Sequence, residues 1–165
     1  KIPPEGGNTL FADQVAAYEN LPCNLRDQAD SLVAIHSAKK GYAPDGKFGA
    51  EDKAKGRSMN IIANESARRQ TEHPFVRTHP ETGQKALFSS AAYIQGFVGF
   101  DQHESEQLLA MFYEYQSAEE VLYSHKWSAN MLAMWDNRSL LHAATGGYDG
   151  HDRLLHRTTI ADTRF

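Results

Sequence analysis

Cysteine is nearly absent from this chain of 165 residues: Cys23 stands alone. One thiol closes no internal disulfide and builds no cysteine-based zinc site, and it fits a reducing, cytoplasmic setting. Positive charge is not in excess either. Seventeen Lys and Arg stand against 21 Asp and Glu, a net charge of −4. The electrostatic footprint of a nucleic-acid binder is therefore missing, and no basic run is there to meet an anionic membrane. No apolar stretch approaches the roughly 20 residues of a membrane span. Internal repeats, low-complexity segments and a signal-peptide pattern are lacking too. So is an initiator: the chain opens at Lys1 and runs straight into Ile2-Pro3-Pro4-Glu5-Gly6-Gly7. Such an opening raises the expectation that an N-terminal part precedes it.

What is present is a chain of one-domain size, 41% hydrophobic and 23% charged, the proportions of a globular protein. Pro3 to Gly7 reads as a turn and Thr9-Leu10-Phe11 as a short strand. Asp13 is placed to cap a helix carrying Val15, Ala16 and Tyr18. Asn24 is placed to cap a second, with Leu25, Ala29, Leu32, Val33 and His36 near helical spacing. Residues 38–70 are polar and Gly-rich without a sustained period, the pattern of a mobile lid or a disordered insert. His73 to His79 and Gln84 to Phe88 read as two strands around a Pro80-Glu81-Thr82-Gly83 turn. Asp101 caps the clearest amphipathic helix, with Ser105, Leu108, Leu109, Phe112 and Tyr115 on one side. Glu120 to Trp127 reads as a strand, Met131 to Trp135 as a buried strand, and Arg153 to Ile160 as a closing strand. Hairpin-ordered strands with inserted helices predict a mainly β jelly roll with peripheral helices.

Eight histidines offer metal-binding chemistry. A non-haem Fe(II) site needs two His and one carboxylate on one face of the metal. The only H-x-D/E pattern is His79-Pro80-Glu81, on what reads as a solvated hairpin tip. His142 follows the apolar run and the Trp135-Asp136-Asn137-Arg138 break. Arg153 and Arg157 are four apart, so on a strand they share a face. Spacing alone leaves them as surface arginines of an edge strand.

Three blocks carry a resemblance. They are Gly6-Gly7-Asn8-Thr9-Leu10-Phe11-Ala12-Asp13 with Leu21-Pro22, His73-Pro74-Phe75-Val76-Arg77-Thr78-His79-Pro80-Glu81-Thr82-Gly83, and Trp135-Asp136-Asn137-Arg138 through His142 to Arg153 and Arg157. In this order and over nearly the whole chain, the sequence resembles the taurine dioxygenase and 2,4-dichlorophenoxyacetate dioxygenase family. The resemblance implies a double-stranded β-helix that uses Fe(II), 2-oxoglutarate and O2 to hydroxylate a small anionic substrate, with succinate and CO2 as coproducts. It implies that His142 is the distal iron ligand and that Thr9 and Arg153 bind the far carboxylate of 2-oxoglutarate. It further implies that Arg157 meets the acidic group of the substrate and that Tyr93 lines the pocket.

In that family an H-x-D pair precedes the Gly-Gly-x-Thr block, so it would fall before Lys1. Residues 1–165 then read as the C-terminal part of one oxygenase domain, incomplete at its N-terminus. Two rivals stay open: a non-catalytic jelly-roll remnant without a complete iron site, and a cupin-type metal protein using His79, Glu81 and His142. Sulfonate, sulfate ester and aryloxyalkanoate all fit the anionic-substrate expectation, and assembly into a homo-oligomer is left open.

Overall fold

The computed structural model describes residues 1–48 and 62–161. Strand β1 (Thr9–Asp13) runs into helix α1 (Gln14–Glu19), and the Asp13 carboxylate accepts from the backbone N–H groups of Val15 and Ala16. Helix α2 (Cys23–Ser31) follows, then β2 (Val33–Ser37) and the single turn α3 (Lys39–Tyr42). A 3-10 turn at Glu65–Arg68 leads into β3 (Gln70–Pro74), β4 (Val76–Thr78), β5 (Lys85–Leu87) and β6 (Ile94–Phe97). Helix α4 (Gln102–Gln116) precedes β7 (Leu122–His125) and β8 (Leu140–Ala144).

The strands form three antiparallel sheets, in the orders β7-β1-β8, β3-β2-β6 and β4-β5. Small antiparallel sheets with helices packed outside them agree with the jelly-roll expectation. The β4-β5 hairpin pairs Val76 with Leu87 and Thr78 with Lys85, as its turn sequence predicts. Helix α4 begins with a full capping box: the Asp101 side chain accepts from the Glu104 N–H, and the Glu104 side chain accepts from the Asp101 N–H. Each end thereby satisfies a donor that the first turn leaves orphaned. Its buried stripe is Ser105, Leu108, Leu109, Phe112 and Gln116.

The core is aromatic. Phe75 lies 5.1 Å from Phe97 and 4.7 Å from Phe112, ring centre to ring centre, and all three are at most 1% exposed. Helix α1 packs on β5 and α4, and its buried Gln14 accepts from the Gln116 side-chain amide at 2.5 Å.

Several expectations are corrected. The second helix is not capped by Asn24: it starts at Cys23 behind Pro22, which gives no side-chain cap. It also stops earlier, because Leu32 is extended and Val33 to Ser37 form the middle strand of a sheet. Two paired edges and the β-branched Val33 and Ile35 outweigh the helical spacing that reaches His36. Met131 to Trp135 is neither strand nor buried, with Leu132 93% and Met134 88% exposed. A continuous apolar run predicts burial only where something packs on it. Arg153 to Ile160 is not a regular strand. Its ladder is confined to Leu154, which exchanges two backbone hydrogen bonds with Lys1, at 2.8 and 2.9 Å. Of the 38–70 stretch, residues 49–61 lie outside the described residues. Its flanks are tied by Arg68, which pairs with Asp45 at 2.8 Å and Glu65 at 2.7 Å. Among the described residues, no helix is long and apolar enough to cross a membrane.

Candidate active site

The site is built on the β7-β1-β8 sheet. Opposite residues of an antiparallel pair point to the same face. The register sets Thr9 opposite His125 and Ala144, and Phe11 opposite Tyr123 and His142. One face therefore carries Thr9, Phe11, His125 and His142 together.

Gly6 and Gly7 bring the chain into β1 with φ of 66° and 63°, a left-handed conformation that glycine adopts without steric cost. Contact requires them as well. A Cβ on Gly6 would collide with the Gly147 carbonyl, and one on Gly7 would lie 2.9 Å from Arg153 Cδ. The Gly7 N–H donates to the Gly146 carbonyl at 3.0 Å. Arg153 then donates from Nε to the Gly7 carbonyl at 2.8 Å, with its guanidinium over the Tyr148 ring. This hydrogen bond uses one of five guanidinium donors, and the terminal fork suits a carboxylate.

Thr9, two residues on, is buried at 6% exposure. Its Oγ1 accepts from Trp127 Nε1 at 3.0 Å. The hydroxyl proton remains to donate, so Trp127 orients the Thr9 hydroxyl as a donor. The contact spans 118 residues of sequence and so leaves no local signal.

His142 lies in β8 with the Trp135 ring edge-on at 5.2 Å and the Phe11 ring at 6.3 Å. Desolvation, with the charge of Arg157 second, lowers its pKa below the usual histidine value. The imidazole is then neutral at neutral pH, the form that ligates a metal. Arg157 also acts on Tyr93, whose phenol is raised by burial first and by Tyr42 next, with Arg157 opposing them. Arg157 thus acts electrostatically on both His142 and Tyr93, while Arg153 is anchored at Gly7, two residues before Thr9. Arg157 itself is exposed and has left the Arg153 strand geometry that its spacing suggested.

His79 is engaged elsewhere. Its Nδ1 accepts from the N–H groups of Glu81 and Thr82, each at 3.3 Å, and its Nε2 lies 3.1 Å from Asp136 Oδ2. Two donors on Nδ1 assign the ring proton to Nε2, which donates to the carboxylate. The hairpin tip is therefore not solvated at His79, whose side chain is 9% exposed. Asp136 also accepts from Arg138, with Oδ2 at 2.6 Å from its terminal nitrogen, and Arg138 lies 3.7 Å from Glu81. Arg138 first, and His79 after it, hold the Asp136 carboxyl well below the usual range against its desolvation. This network fastens the Trp135–Arg138 break to the β4-β5 hairpin. It occupies both nitrogens of His79, so the cupin-type set of His79, Glu81 and His142 gains no support.

Against Phe11 and Trp135, the two rings that flank His142, opens a trough of ≈ 650 Å³, with Tyr123, His125, Met131, Leu132 and Met134 among its walls. Thr9 and Arg153 fit one carboxylate of a dicarboxylic acid, through a hydroxyl donor and a guanidinium fork at one strand end. His142 fits one position on a metal. No group of three His, Cys, Asp or Glu side chains able to hold a metal forms among the described residues.

The chain is similar to known proteins along nearly its whole length. An alkylsulfatase of Acinetobacter baylyi is 35% identical over 160 residues, which cover 97% of this chain and 49% of that protein. The alpha-ketoglutarate-dependent 2,4-dichlorophenoxyacetate dioxygenase of Cupriavidus pinatubonensis is 34% identical, over 98% of this chain and 52% of its own length. The crystal structure of a taurine dioxygenase from Burkholderia xenovorans superposes with a TM-score of 0.68 at 33% identity, covering 88% of this chain and 42% of that one. The chain spans about half the length of these curated relatives. Residues 1–159 match the family model described as taurine catabolism dioxygenase TauD, TfdA family. The chain belongs to the TauD/TfdA family.

Proposed function

We propose that residues 1–165 are the C-terminal part of a single oxygenase domain whose H-x-D pair precedes Lys1. The whole protein hydroxylates a small anionic organic substrate, a sulfonate, sulfate ester or aryloxyalkanoate, using Fe(II), 2-oxoglutarate and O2. When bound, the metal and 2-oxoglutarate supply the oxidising power that inserts one oxygen atom of O2 at a C–H bond, with succinate and CO2 leaving.

The residues of this chain position and insulate. The Arg153 fork and the Thr9 hydroxyl hold the far carboxylate of 2-oxoglutarate, and Trp127 keeps the Thr9 proton turned toward it. Neutral His142 offers a nitrogen lone pair to iron. Trp135 and Phe11 keep water from one side of that imidazole. Arg157 holds the anionic group of the substrate, and Tyr93 lines its pocket. Two cations near one site repel unless each meets an anion, and this chemistry supplies two acids.

The observation that carries the reading is the anchoring of Arg153 to the Gly7 carbonyl, two residues before Thr9 and at the entry to the sheet that also bears His142. Family membership and the names of relatives support the same class. The test is succinate release by the full-length protein with Fe(II), 2-oxoglutarate and a panel of sulfonates, alkyl sulfates and aryloxyalkanoates. Substrate-dependent succinate that vanishes in His142→Ala is expected. No turnover across the panel, or no H-x-D/E upstream of Lys1, overturns the reading.

A further inference from the structure

The Trp135 indole is set against the His142 ring at 5.2 Å and meets Phe11 at 5.1 Å. The residues just before it do little to keep it there, since Leu132 and Met134 are exposed. Its place is set from the other side. The Asp136 carboxylate accepts from the Arg138 N–H at 2.8 Å and from Arg138 Nε at 2.9 Å. An Asp side chain that bonds the backbone two residues on closes a turn by itself. Trp135 Nε1 donates to Asn137 Oδ1 at 2.9 Å, so the indole leans on that turn. The Ser139 carbonyl then accepts from the Gln14 N–H at 2.9 Å, just before β8 begins.

A turn closed on itself alone swings as a unit. His79 reaches it from another element, with Nε2 at 3.1 Å from Asp136 Oδ2 across 57 residues of sequence. The His79 backbone is fixed in turn: its N–H donates to the Gln84 carbonyl at 2.7 Å, and its carbonyl accepts from the Gly83 N–H at 2.9 Å. The β4-β5 hairpin behind it is rooted in the core, where Phe75 and Leu87 are buried. A continuous series of contacts thus runs from the core through the hairpin, His79 and Asp136 to the residue that packs on His142.

We infer, on the reading of His142 as an iron ligand, that His79 is a positioning residue for it: through Asp136, His79 holds the Trp135 indole against the imidazole and so restricts where that ring aims its nitrogen lone pair. Losing a partner that orients a ligand typically weakens metal binding ten- to one-hundred-fold. His79 acts through two further residues, which puts its effect at the lower end.

Co(II) is titrated into the full-length, iron-free protein and followed by its visible absorption, whose bands read the ligand geometry. In the metal-free protein the His142 ring-proton resonance is followed by NMR at fixed pH, because it lies beside the Trp135 ring. His79→Ala should weaken Co(II) binding about ten-fold, alter the bands and shift the resonance. His79→Gln, whose amide keeps a donor for Asp136, should restore the affinity to within about three-fold of the wild type. In a Trp135→Leu background, His79→Ala should change the affinity by less than about two-fold, because residues that act through one another do not add. Circular dichroism reads whether each variant is folded; if His79→Ala is not, Asp136→Asn takes its place with the same expectations. Unchanged affinity and bands, an unmoved resonance, or effects that add to those of Trp135→Leu overturn the positioning role, even where the thermal midpoint falls. Wild-type protein that binds no Co(II), with a resonance that still moves in His79→Ala, sinks the iron-ligand reading and leaves the hold on His142 standing.

Discussion

Two regions of this molecule are held together by different means. From Ala17 to Val121, apolar side chains close a core around Phe75, Phe97 and Phe112. Beyond Val121 no described residue is buried, yet His142, Arg153 and Arg157 all lie there. That second region hangs on β1 through paired strands and a few polar links. Among them, on β1 and the residues just before it, are Trp127 to Thr9, Arg153 to Gly7, Thr145 to Asn8 and Lys1 to Leu154. The contrast teaches that stability and site geometry are separable in this chain. Truncation in the first region removes packing and unfolds, whereas truncation in the second loosens one contact and is read by a ligand.

The largest effect sharpens that contrast. Phe112→Ala, at a fully buried ring touching Phe75 and Phe97, should cost about 3–5 kcal/mol in urea unfolding of the full-length protein. Leu132→Ala, at a side chain 93% exposed, should stay within about 0.5 kcal/mol. A Leu132 cost near that of Phe112 would break the comparison, because the apolar strip would then be packed in the full-length protein.

The next effect belongs to ligand binding. Arg153→Gln removes a charged fork while leaving the core untouched. A hydrogen bond to a charged group is worth about 1.5–3 kcal/mol, so 2-oxoglutarate affinity should fall about ten- to one-hundred-fold. The midpoint of thermal unfolding measured without ligand should stay near the wild type. A large fall in that midpoint would place Arg153 among the stabilising residues of the open region.

Legibility in the sequence divides along the same line. The Asp13 and Asp101 caps, the α4 stripe and the β4-β5 hairpin are readable because their physics is local, set by three- or four-residue spacing and turn chemistry. The end of α2 is misread because Leu32, Val33 and His36 keep helical spacing while two neighbouring strands claim them. Met131 to Trp135 is misread because an apolar run states that it is hydrophobic and not what covers it. Thr9, Arg153 and His142 are legible only through family resemblance, since spacing alone left both arginines on the surface. Trp127 carries no local signal, because its partner Thr9 lies far along the chain. His79 is misjudged because a hairpin tip reads as solvated until Asp136 is seen against it.

A smaller effect tests the joint between the regions. Asp136→Asn weakens the acceptor shared by Arg138 and His79. With 36% of the Asp136 side chain exposed, screening keeps the loss to about 1 kcal/mol or less. The folded carboxyl is depressed below its ordinary value, so its stabilisation is present above about pH 4 and fades as pH falls toward the folded value. The gap between wild type and variant in urea midpoint should therefore narrow from pH 6 to pH 3. A gap independent of pH would mean that the link works by shape rather than charge.

The smallest effect is electrostatic and lies wholly within the open region. Burial first, and Arg157 second, lower the His142 pKa. Replacing Arg157 with Gln removes the second cause and leaves the first. The imidazole should then titrate at a higher pH, still below an ordinary histidine, as read from its ring proton by NMR in the metal-free protein. Added salt should move the wild type in the same direction, because a solvent-facing cation is screened. While the folded pKa lies below the unfolded one, the unfolded chain binds the proton more readily. Stability therefore rises with pH through the window between them, and the substitution narrows that window. The rings of Trp135 and Phe11 are packed near His142, whereas the Arg157 contribution depends on a segment held by few contacts. If the substitution moves nothing while Trp135→Ala raises the His142 pKa, packing reaches further into the open region than its exposure suggests, and the division between the two regions would have to be redrawn around that indole.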